Sequence, residues 1–175
     1  MRRIVGSIAL GIGLTLTDSL AAQSKAVELG LDGALSVYSG GGTQLGIPFQ
    51  RFRVGFIASE RVEIEPAIAL NWLKPSEGNS VATINGGIGV LVHLATDAEK
   101  ARPYLRPFVG INLLTGGGES VSQFEAGAGI GVKAPITSVA KFAFRLEAGY
   151  VHGFEGDFSA SDRFQLLFGL SFFTK

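Results

Sequence analysis

The sequence contains no cysteine, which excludes a disulfide framework and thiolate chemistry. It has only two histidines, His93 and His152, far apart in the chain, so a transition-metal site lacks a ligand set. An excess of charge of either sign is missing as well. Fifteen basic and 15 acidic side chains give a formal net charge of zero, so no basic field points to nucleic acid. After Lys25 no segment sustains a helical period. The apolar run Ile4 to Leu16 is too short to span a bilayer comfortably as a helix.

That stretch follows Arg2 and Arg3 and precedes the small residues around Ser19-Leu20-Ala21. Positive start, apolar middle and small-residue cleavage site are the order of a secretory signal peptide. The expected division is therefore 1–21 as signal peptide, with cleavage near 21–24, and 22–175 as one domain. Losing Arg2, Arg3 and Asp18 leaves the mature chain within one charge of neutrality.

Glycine is abundant, at 25 residues, but is spread along the chain, often at every second position. Such spacing belongs to closely packed strands rather than to a flexible linker. Alternation with period two returns eight times. The first run sets Val27, Leu29, Leu31, Leu35 and Val37 against Glu28, Gly30, Asp32, Ala34 and Ser36. The second changes phase at Gln50, which predicts a β-bulge or a shorter strand starting there, and its polar face carries Arg51 and Arg53. The third contains Pro66, which cannot donate a ladder hydrogen bond. The last is "FQLLFGLSFF", with Phe164, Leu166, Phe168, Leu170 and Phe172 on one face. Runs of roughly 9–12 residues suit tilted membrane-spanning strands.

Period alone does not say whether the apolar face points in or out. A soluble lipocalin-type barrel would turn it inward. Three features favour lipid outside. The opposite face is rich in glycine, alanine and small polar groups, which suit a narrow interior. Its charges nearly balance: Glu28, Asp32, Glu63, Glu65, Glu125 and Glu147 against Arg51, Arg53, Arg106, Lys133 and Arg145. Buried charges persist only when paired. The expected lumen charge network is Arg51, Arg53, Glu63, Glu65, Arg106, Glu125, Arg145 and Glu147, with Arg51 and Arg53 one tight turn from Glu63 and Glu65. Aromatics also gather near the ends of the apolar face. Trp72, Tyr150 and Phe164 fall toward one rim and Phe56, Phe142 and Phe172 toward the other, as interfacial girdles would. The fold class expected is all-β: an eight-stranded antiparallel up-and-down transmembrane β-barrel.

Signal peptide, eight alternating runs and a C-terminal aromatic strand together resemble the outer membrane protein β-barrel domain family, the small OmpA/OmpX-type barrels. "RPYLRPFVGINLL", "FEAGAGIGVKAPI" and "FRLEAGYVHGF" share that general look. The resemblance covers the whole mature chain. It implies residence in the outer membrane and insertion by the assembly machinery, which reads the last strand. Phe164, Leu166, Phe168, Leu170 and Phe172 match the alternating pattern read there, although Phe173, Thr174 and Lys175 follow Phe172.

The function expected is that of a structural or envelope-integrity barrel with a side-chain-filled interior, monomeric, with outer-membrane lipid and the assembly machinery as partners. Neither cofactor nor metal nor nucleic acid is expected. A narrow porin-like channel is the alternative, motivated by interior glycines, but eight strands leave room only for side chains. A lipid-modifying enzyme is a third reading. His152, Glu155, Ser159 and Ser161 cluster in "VHGFEGDFSASD", yet no defined base–nucleophile spacing exists, so no catalytic residue is assigned. His93, by parity, faces inward near a turn as a packed residue.

Overall fold

The computed structural model describes residues 27–39, 43–73, 81–97, 100–116, 119–136, 141–157 and 159–174; for 43–50, 72, 73, 81 and 119 it describes the backbone alone. The expected signal peptide and the loop at 75–80 lie outside the described residues, as does the Trp72 side chain. Eight strands follow one another: β1 (Val27–Tyr38), β2 (Thr43–Ile57), β3 (Val62–Leu73), β4 (Val81–His93), β5 (Arg102–Gly116), β6 (Glu119–Pro135), β7 (Phe142–Gly153) and β8 (Ser161–Phe173). Each pairs antiparallel with the next, and β8 returns to β1 to close the barrel.

Closure follows from the physics of edges. An open sheet of this length would leave two rows of unpaired backbone groups, a large cost anywhere away from water. The β1–β8 seam removes both rows, pairing Leu29 with Phe172 and Leu35 with Leu166. The shortest strands have 12 residues and the longest 17, enough to cross a hydrocarbon core at a tilt.

The alternation places the charged face inside and the apolar face outside. Along β7, Ala143, Arg145 and Glu147 are buried while Phe142, Phe144 and Leu146 are exposed. Leu29, Leu31, Ile64, Ile68, Ile88, Val90, Val109 and Ile130 are likewise exposed. This orientation overturns the soluble, lipocalin-like alternative, because water would then meet the hydrocarbon and the charges would fill the core.

The start of β1 and the end of β8 share one end of the barrel, here the terminal end. Tyr38, Leu73, Gly116 and Gly153 end their strands at the other, the loop end. At the terminal end the β2–β3 turn is held by Ala58 N–H donating to the Val62 carbonyl at 2.9 Å.

Two irregularities fall where the sequence breaks its pattern. Asp32 pairs with Arg51 but Ala34 pairs with Gly46, so 47–50 stand opposite Gly33 alone. The phase change at Gln50 is thus a wide irregularity within one strand, larger than a one-residue bulge. Between β2 and β3 the register runs from Arg53↔Ala67 to Phe56↔Ile64 across the stretch that holds Pro66. Proline has no N–H to give that ladder. One glycine permits a close approach that closure needs: a Cβ on Gly169 would lie 2.1 Å from Asp32 Oδ1 and 2.3 Å from the Leu31 carbonyl oxygen.

Candidate functional site

The inward positions of the terminal half converge on one ion-pair network to which all eight strands contribute. Arg53 of β2 lies at its centre. Its Nε donates to Asp32 at 3.0 Å and its Nη2 to Ser171 Oγ at 2.6 Å, while Nη1 bonds Glu28 and reaches Glu65 at 3.3 Å. Lys133 Nζ bridges Glu28 at 2.5 Å and Glu63 at 2.7 Å, so β6 is tied to β1 and β3 across the lumen. His93 Nε2 stands 3.3 Å from the same Glu63 carboxylate.

The other half of the network centres on β7. Arg145 pairs with Glu65 and, at 2.6 Å, with Glu147, two residues along the same face. Its Nε donates to Tyr104 Oη at 2.7 Å, and the Tyr104 hydroxyl donates to Glu147 at 2.9 Å. Arg106 completes the set with Glu147 at 2.6 Å. The paired side chains of this network are at most 1% exposed, His93 at 3% excepted. Charges so far from water are tolerable only because each is matched and hydrogen-bonded. Glu63 Oε1, Glu65 Oε1 and His93 Nδ1 are the network atoms left without a partner.

Among the residues expected in a lumen network, Arg53, Glu63, Glu65, Arg106, Arg145 and Glu147 meet here. Arg53 reaches Glu65 diagonally, since the residue directly opposite it is Ala67. Glu63 pairs with Lys133 rather than with an arginine of β2. Glu125 lies higher, in a two-pronged pair with Arg163 at 2.5 and 2.8 Å. Arg51 forms no ion pair among the described residues. Glu28, Asp32 and Lys133 stand on the inward face by parity but were outside the expected network, as were Tyr104 and Ser171. Arg163 was missed altogether, although counting back by twos from Gln165 puts it on the inward face.

Glu28, Glu63 and Glu65 bring carboxylate oxygens within 4.8 Å of one another. Lys133, Arg53 and Arg145 already supply their countercharge, which is the chemistry of an ion-pair cluster rather than of a metal cradle. Above the network, in the loop-end half, lies a cavity of about 160 Å³ lined by Asp32, Arg51, Asn85, Asn112, Gln165 and others.

The outer face carries the aromatic positions. Phe142 and Phe172 pack with tilted rings, centroids 5.1 Å apart, near the terminal end, where Phe56 is also exposed. Tyr150 and Phe164 do so at 5.5 Å toward the loop end. Just above them His152 Nδ1 is 2.7 Å from Asp162 Oδ1, and Tyr150 Oη donates to the same oxygen at 2.5 Å. Ser161 instead turns to the other face of its strand, 3.4 Å from Gln123 Oε1. The loop cluster is therefore split between the two sides of the wall.

No family model matches the chain, and neither does any curated protein. Solved structures do. The crystal structure of Neisserial surface protein A (NspA) superposes with a TM-score of 0.60 at 14% identity, over 86% of this chain and 97% of that one. The N-terminal β-barrel domain of Pseudomonas aeruginosa OprF gives 0.52 at 14% identity, over 84% and 97%. At such identities the likeness concerns the fold.

Proposed function

We propose that this chain is an integral outer-membrane protein, monomeric, whose role is structural: a rigid, plugged barrel contributing to envelope integrity. The observation that carries this reading is the combination of an apolar outer wall with a lumen closed by a network of ion pairs and hydrogen bonds to which every strand contributes. A wall of exposed leucine, isoleucine, valine and phenylalanine needs hydrocarbon as its solvent, since water in contact with that area would oppose folding. The shared fold with outer-membrane barrels supports the choice of membrane. The last strand, which closes the barrel against β1, is the segment for the assembly machinery to engage, and lipid is the partner along the whole perimeter.

A plug of this kind does not conduct. Opening it requires separating Arg145 and Arg53 from carboxylates on other strands, at several kcal/mol for each charge left unpaired. Purified barrel inserted into planar bilayers is expected to give no unitary conductance in monovalent salt. Stable, reproducible steps would overturn the plugged reading and establish the narrow channel instead.

A further inference from the structure

The loop-end cavity holds a cation, Arg51, that no described residue pairs. At about 160 Å³ it has room for several waters or one small polar molecule. Its lining includes four charged side chains, Asp32, Arg51, Glu125 and Arg163, and both acids are already committed. Asp32 accepts from Arg53 at 3.0 and 3.1 Å, and Glu125 is gripped by Arg163. Arg51 lies on the same lining, half-buried, with no hydrogen bond or ion pair to any described residue. Asp32 and Glu65 influence it through space, as do Arg106 and Arg145 with opposite sign, but none takes its N–H groups.

A guanidinium has five donors in a planar fork that fits an oxyanion two at a time. Shut inside a barrel wall, those donors need water or an anion. Two further groups of the same wall are unsatisfied: Asn112 Oδ1 and Gln165 Nε2 are shielded from solvent without a partner. The rest of the lining is uncharged, with Ser36, Asn71 and Thr83 able to donate or accept and Phe108, Ile111 and Leu167 adding apolar wall. We infer that the loop-end cavity is a binding site for a small, phosphate-sized oxyanion, anchored by Arg51 beside neutral hydrogen-bonding side chains, the two lining carboxylates being held by Arg53 and Arg163. The inference is independent of the integrity role, because a plugged barrel with a closed terminal half can carry a ligand in its loop-end half.

The network beneath the cavity contains five carboxylates, Glu28, Asp32, Glu63, Glu65 and Glu147, against the four cations Arg53, Arg106, Lys133 and Arg145. That residual negative field weakens an anion site, so binding in the millimolar range is expected. It also argues for an anion that shares protons, since hydrogen phosphate can donate as well as accept.

The test is a titration of the folded protein in detergent micelles with inorganic phosphate against chloride at constant ionic strength, followed by proton–nitrogen NMR of the arginine Nε–H and side-chain amide signals. A saturable movement of the Arg51 signal with phosphate and not chloride is expected, with Gln165 and Asn112 moving in parallel. Arg51→Gln should abolish the saturable response of those amides. Asn112→Asp, which places a carboxylate in the cavity, should weaken binding at least tenfold and serves if Arg51→Gln does not fold. Equal responses to the two anions, a linear response, or saturation that survives both substitutions would overturn the site.

Discussion

Arg145→Leu is expected to lower the free energy of unfolding by about 3–5 kcal/mol, the scale for removing one partner of a buried charge pair. The substitution keeps bulk in the lumen but removes the cation that serves Glu65 on β3, Glu147 on β7 and the Tyr104 hydroxyl on β5. Two carboxylates, both buried, then lose a countercharge at once, although Arg53 still reaches Glu65 and Arg106 still holds Glu147. Reversible denaturant unfolding in lipid vesicles, followed by the fluorescence of the single tryptophan, reads this directly. A loss under about 1 kcal/mol would place the pairs in a wet, screened lumen, where exposed ion pairs are worth that little. Arg51→Gln is the internal contrast. It removes a cation of the same type from the same face, but one with no direct pair among the described residues, and should cost much less.

Ile88→Arg addresses the other side of the wall. Ile88 sits near the middle of β4, between Pro66 of β3 and Val109 of β5, and is 47% exposed. Placed at the mid-plane of a bilayer, an arginine on a barrel's lipid face costs about 2–4 kcal/mol. The same unfolding assay should show that loss, with Ile88→Leu close to the parent. A neutral or stabilising effect of the arginine would mean that water, not hydrocarbon, covers this face.

The fold was legible because its governing signal is local. Two solvents, one apolar and one charged, act on alternate residues, and nothing longer than a strand is needed to record that. Arg145 and Glu147, two apart, announce their shared face and their pair. Which charge meets which is a different matter. Lys133 bridges β1 and β3, strands far from it in sequence, because a narrow lumen brings opposite walls within reach of one side chain. Sequence neighbours across a tight turn therefore mislead: Glu63 looks like a partner for Arg51 or Arg53 and is taken by Lys133 instead. Barrel stagger, set by register at every seam, decides such pairings, and Arg163 shows the same from the loop end, reaching back to Glu125 of β6. The irregularity opposite Gly33 was visible only as a phase change at Gln50, since its width depends on how β1 and β2 re-register.

The central claim, a closed barrel with lipid outside, is tested most directly by fractionating cells and running the outer-membrane fraction in SDS with and without boiling. The account predicts a membrane-bound protein whose unboiled band migrates differently from the boiled one, because the ion-paired barrel resists detergent until heated. Recovery in the soluble periplasmic fraction, with one mobility whatever the treatment, would contradict it.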